Sequence, residues 1–127
     1  MGMYGEAAIR ASGYVVSGAM APKEAWHSAI AELSKSLESQ KKGCPKMAYL
    51  GLCDAGAVKG IPRGSYSAVP QSKNGEYAKR AHSLLHSQPK LARDKKKLWA
   101  RSIAPDDKHE NDQMDVVVTL WNRGLLH

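Results

Sequence analysis

Three groups of residues could carry chemistry. Cys44 stands among Lys41, Lys42 and Lys46, directly before Pro45. A thiol at a helix N-terminus beside cations meets the conditions that lower its pKa and make it a nucleophile. No histidine lies near it in sequence to complete a Cys/His pair, so a nucleophilic role is the weaker reading. Cys53 falls nine residues on, in the same expected helix. That places the two sulfurs about 13–14 Å apart along the axis, too far for a disulfide. The spacing also fails the Cys-x-x-Cys rule of zinc and thioredoxin-like sites, and Cys53 reads as a small buried hydrophobe. His82 and His86 are four apart and share a helix face. Such a pair can hold a metal, but no Glu-x-x-His partner or third ligand accompanies it. Asp112 and Asp115 lack a metal-ligand pattern as well. No catalytic set, metal or cofactor is expected from these residues.

The densest arrangement runs from Lys41 to Lys46. A helix opening at Pro45, with Gly43 or Cys44 as its cap, leaves first-turn N–H groups without acceptors. Lys42 and Lys46 flank that end. Lys59-Gly60-Ile61-Pro62-Arg63-Gly64 makes a second compact turn, and folding 56–66 back over the helix would add Lys59 and Arg63. Dipole, amides and cations would then meet at one concavity suited to an anion. The expected anion- or nucleic-acid-binding set is Lys41, Lys42, Gly43, Cys44, Lys46, Lys59 and Arg63, converging with part of the basic run 90–101. The competing reading is a tight helix entry whose lysines stay in water.

The elements that must hold these residues are helical. Ala7, Ala8, Ala11, Tyr14 and Val15 keep a 3.6-residue spacing over 4–17, with Gly18 as the stop and Gly13 as a candidate close crossing. A second helix starts at Pro22 and lines up Trp26, Ala29, Ile30, Leu33 and Leu37, with His27 a structural histidine beside that stripe. The third helix, from Pro45, stops at Gly56. Asn74 caps a fourth over 75–87, with Tyr77, Ala78, Ala81, Leu84 and Leu85 inward. Asp94 caps a fifth over 95–103, with Leu98, Trp99, Ser102 and Ile103 inward. The last spans about 111–123, has Asp112 in its first turn, carries Met114, Val117, Val118 and Trp121 inward, and ends at Gly124. Residues 59–69 read either as a short wing or as an irregular loop, and 70–75 as an exposed connection. Without any Phe, the bulky anchors must be Trp26, Trp99 and Trp121. The expectation is all-α: one domain over 1–127, a compact bundle of five or six short helices with a Gly/Pro-rich central loop.

The net charge of +7 is concentrated in the middle, where 73–101 alone holds nine basic and two acidic groups. Such a balance suits a polyanion, and equally a solvated lysine face. No apolar run approaches the ~20 residues of a membrane span, and free thiols suggest a cytoplasmic protein without a membrane partner. Dinucleotide, P-loop, Gly-x-Ser-x-Gly and His-Glu-x-x-His signatures are all missing.

Tyr4-Gly5-x-Ala7-Ala8, Pro22-x-x-Ala25-Trp26, Gly43-Cys44-Pro45-Lys46-x-Ala48-Tyr49-Leu50-Gly51 and Lys59-Gly60-Ile61-Pro62-x-Gly64-x-Tyr66 together resemble a family of small bacterial proteins of unknown function. The resemblance covers nearly the whole chain. It implies no substrate and no catalytic set, only that 42–66 belongs to a shared design. A binding module for nucleic acid or a phosphate-bearing ligand is the leading functional reading. A protein-interaction module is the alternative, and phosphoester hydrolysis by Asp/His groups stands below both.

Overall fold

The computed structural model describes residues 2–67 and 72–127. Its helices are α1 (Met3–Val16), α2 (Pro22–Leu33), α3 (Leu37–Lys41), α4 (Gly43–Asp54), α5 (Lys73–Ser87), α6 (Lys95–Ile103) and α7 (Gln113–Asn122), with a 3-10 turn Pro89–Arg93 between α5 and α6. Six of these are full helices, α3 is little more than one turn, and no strand occurs among the described residues. The all-α bundle expected from periodicity is therefore the fold.

Three helices end as their glycines dictate. Gly18, Gly56 and Gly124 take φ of +81°, +70° and +71°. Behind each, the next two N–H groups turn back onto the helix: Ala19 to Tyr14 and Gly18 to Val15, Ala57 to Leu52 and Gly56 to Cys53, Leu125 to Leu120 and Gly124 to Trp121. This paired 6→1 and 5→2 closure satisfies carbonyls that would otherwise lack donors. It also brings the exits of α4 and α7 side by side. Val58 pairs with Leu126 in an isolated antiparallel bridge, the Lys59 N–H donates to Leu125 and the His127 N–H to Ala57.

Small residues set the helix spacing. Ala7, Ala8 and Ala11 of α1 and Ala25 and Ala29 of α2 are fully buried, and α1 packs along α2. Trp26 lies between Tyr4 and Tyr49, stacked at 6.5 and 5.5 Å. Tyr77 meets Trp99 edge-on at 5.4 Å, and the Trp99 indole N–H donates to the Lys108 carbonyl. Asp115, on buried α7, accepts from the N–H groups of Gly2 and Gly5 at 3.0 and 2.8 Å. A carboxylate there answers two free amides and the positive end of α1 at once.

Several expectations change. Gly13 faces open space; the close crossings are at Gly5, where an added Cβ would lie 2.2 Å from Thr119 Oγ1, and at Gly51, where it would lie 2.5 Å from Gly75 Cα. Leu37 is 65 % exposed, because α2 ends at Leu33 and Ser36 caps the separate turn α3 through the Ser39 N–H. Trp121 is only half-buried, since it lies at the rim beside the His82 and His86 rings. Helix α5 starts at Lys73, not after Asn74, and the Asn74 side-chain oxygen accepts instead from Gln113. Asp112 precedes α7 in the left-handed region, φ 70°. Residues 59–67 form no wing strand; the Asp54 carboxylate accepts from the Tyr66 and Ser67 N–H groups and pins the loop down. The rest of the expected wing and the start of the 70–75 connection, residues 68–71, lie outside the described residues.

Two alanine substitutions test this packing. Gly13→Ala should stabilise the protein by up to about 1 kcal/mol, because it adds helix propensity without a clash. Gly51→Ala sets a methyl against the backbone of Gly75 and should destabilise it by about 1–3 kcal/mol. Chemical denaturation of the two variants beside the parent measures both signs.

Candidate functional site

The seven expected site residues do not converge. They are divided between the two ends of α4, and one of them is taken up in an ion pair. At the N-terminal end, Lys41 and Lys46 line a concavity of about 370 Å³ with His27, Ile30 and Gln40. Gln40 is held there by donating to the Ser34 carbonyl at 2.7 Å. Lys42 turns the other way. Its ammonium pairs with Asp112 at 2.5 Å and lies 5.3 Å from the centre of the Tyr4 ring. The hydrogen bond to Asp112 raises its pKa, so Lys42 is a firmly charged tie between α4 and α7. Gly43 is exposed and Cys44 half-buried in the first turn of α4, where no side chain caps the helix.

Lys59 and Arg63 belong to the opposite end. The 56–66 loop does fold back, as the sequence suggests, but onto the C-terminus of α4: the Gly64 N–H donates to the Asp54 carbonyl. Twelve residues of helix at about 1.5 Å each leave roughly 18 Å between the two ends. Arg63 lines a different concavity, of about 550 Å³, with Gly60, Ile61 and His127. Dipole and cations therefore do not meet as the anion-site reading required.

A larger basic surface forms where α5, the 3-10 turn and α6 come together. Two adjoining concavities of about 400 and 500 Å³ share Arg101. Lys79 and Arg80 line the first, and Lys90, Asp94 and Lys97 the second. The only acid among these lining residues, Asp94, is occupied in accepting from the Lys97 N–H at the start of α6. Glu76 pairs with Lys79 at 2.6 Å. The two guanidinium groups are held differently, by neutral oxygens. Arg80 donates to the Ser102 and Ala104 carbonyls at 3.4 Å, and Arg101 donates to the Gln88 amide oxygen at 2.5 Å. Neither has a carboxylate within ion-pair distance among the described residues, although Asp106, which accepts from the Tyr77 hydroxyl, lies near enough for the charge of Arg80 to help lower its pKa. Lys79 and Arg80 were missing from the expected set, although the charge excess of 73–101 pointed toward them.

The thiols separate as well. Burial pushes Cys53 up to about 12, and burial likewise raises the Tyr49 phenol beside it. Cys53 is a fully buried core residue, as its position on the apolar face suggested, and both cysteines are free. No group of three His, Cys, Asp or Glu side chains suited to a metal occurs among the described residues. Nor is any helix among them long and apolar enough to cross a membrane.

Residues 1–127, the whole chain, match the model of a family described as a family of unknown function, DUF6979. The chain belongs to that family. No curated protein and no solved structure matches it.

His27 reports on the smaller concavity. Partial burial lowers its pKa below 6.5, and the charges of Lys46 and Lys23 lower it further. The unfolded chain then binds the proton more readily, so this contribution to stability is complete above about pH 6.5 and is lost as pH falls through the folded-state value. Titration of the His27 ring by NMR should give a midpoint below 6.5, and Lys46→Ala should move it upward.

Proposed function

We propose that this protein binds nucleic acid through the phosphate backbone, with the α5–α6 groove as its principal contact. One observation carries the reading: Arg80 and Arg101 are oriented by neutral oxygens and neither is in an ion pair among the described residues. A guanidinium held this way has already lost rotamer freedom and retains donors for a phosphate oxygen. Lys90 and Lys97 extend the same basic surface. The concavity of Lys41 and Lys46 would be a second, smaller phosphate contact, and Lys59 and Arg63 a third at the far end of α4.

The lining of the groove includes no aromatic ring. Base stacking is not available there, and recognition would rest on charge rather than sequence. A free phosphate-bearing ligand would satisfy fewer cations than a strand that spans both concavities.

Fluorescence anisotropy with duplex and single-stranded oligonucleotides, at several salt concentrations, tests this reading. Affinity should fall steeply with salt and vary little with sequence. The Arg80→Ala/Arg101→Ala double variant should lower the log–log salt slope by about 1.4–1.8, with helix content unchanged by circular dichroism. A Lys41→Ala/Lys46→Ala variant should weaken binding less. Equal binding by the parent and the arginine double variant would refute the groove, and no binding by the parent at low salt would refute the function.

A further inference from the structure

The outward face of α5 carries a second arrangement, independent of the basic groove. His82 and His86 bring their Nε2 atoms within 3.2 Å of each other. The main-chain oxygen of His127 lies 2.8 Å from His82 Nε2 and 2.5 Å from His86 Nε2. Three potential donor atoms thus form a closed triangle at the surface, with the stretch that follows Gly124 supplying the third corner.

Protons satisfy that triangle in one way only. A neutral imidazole carries at most one hydrogen on Nε2, and the main-chain oxygen carries none but has two lone pairs. Both Nε2–H groups can therefore donate to His127, which crowds two donors at 3.2 Å. If one donates to the other ring instead, the accepting ring turns a lone pair on the carbonyl oxygen. Charging both imidazoles sets two cations in contact. A cation at the centre is an alternative that relieves this crowding, because all three corners can then present lone pairs.

We propose that His82, His86 and the main-chain oxygen of His127 bind a divalent first-row transition ion of the zinc, copper or nickel class. Imidazole nitrogen is the donor these ions prefer. Bonds of about 2.0–2.1 Å in tetrahedral geometry place neighbouring donors about 3.3 Å apart, which the two nitrogens already match. The nitrogen–oxygen edges are shorter and would open by roughly 0.5–0.8 Å around the ion. Trp121 lies edge-on to both rings, 5.1 Å from His86 and 6.3 Å from His82, and so limits their rotation. Remaining coordination positions would be filled by water. The bound ion would staple the segment after α7 to α5, reinforcing the Val58–Leu126 bridge beneath it.

Zinc chloride titrated calorimetrically into the full chain, with hydrogen exchange followed at the His127 and Lys59 amides, tests the proposal. One saturable equivalent should bind near pH 7.5 and weaken on acidification, because protons compete with the ion for imidazole nitrogen. His82→Ala and His86→Ala should each weaken it by at least about tenfold, and the ion should slow exchange at both amides in the parent. His86 is exposed, so its replacement reads out binding even if the His82 variant is unstable. No saturable binding, or undiminished affinity in His86→Ala, overturns the site. Binding that leaves amide exchange unchanged overturns the third donor and reduces the pair to an adventitious one.

Discussion

The approach of α4 and α5 at Gly51 and Gly75 is the constraint on which the working surfaces depend. With no Cβ on either side, the two backbones come close enough that an added methyl at Gly51 would reach 2.5 Å from Gly75 Cα. That contact sets the depth at which α5 is seated. Tyr77, Ala78, Ala81 and Leu85 then enter the core, and the residues between them are left outside. Arg80 turns toward α6, while His82 and His86 turn toward the exit of α7. The basic groove and the histidine pair are thus consequences of one helix being locked in one position. Any side chain at Gly51 would shift both together.

Electrostatics does the sorting that sequence counting leaves undone. Of the cations in the middle of the chain, Lys42 pairs with Asp112, Lys79 with Glu76, and Lys95 lies 3.7 Å from Asp115. Asp115 belongs mainly to α1, whose first amides it accepts. These pairs sit in or near solvent and contribute little stability individually. Their effect is to decide which charges remain available. Arg80 and Arg101, positioned by carbonyl and amide oxygens, remain available where a carboxylate would have neutralised them. A residue's charge is visible in the sequence, and so is a local partner such as Glu76 for Lys79, whereas the acid that meets Lys42 and the oxygens that meet Arg80 and Arg101 come from other elements of the fold.

What the sequence determined by itself was local. The apolar spacing of each segment, the prolines and Asp94 near helix starts and the glycines at helix ends were enough to place six helices to within a few residues and most of their inward faces, Leu37 and Trp121 excepted. Gly18, Gly56 and Gly124 stop helices through bonds spanning only five residues, so no tertiary information was needed. Cys53 could be recognised as core because its place on the helix face followed from the same spacing. The break between α2 and α3 was harder to read: Leu37 continued the apolar stripe, and the turn capped by Ser36 overrode it.

Tertiary structure decided everything that depends on two distant segments meeting. Gly13 and Gly51 are equally permissive as residues, and only the packing of α4 on α5 shows which one is at a crossing. Lys42 looked like half of an anion site until Asp112, seventy residues on, arrived beside it. Lys59 and Arg63 could have joined the first turn of α4 only if the 56–66 loop folded back that way, and the turn at Gly56 and the Asp54 carboxylate direct that loop to the far end of the helix. His82 and His86 showed a shared face, as any pair four apart must. Their third neighbour is a main-chain oxygen, which has no residue type and therefore leaves no mark in a sequence.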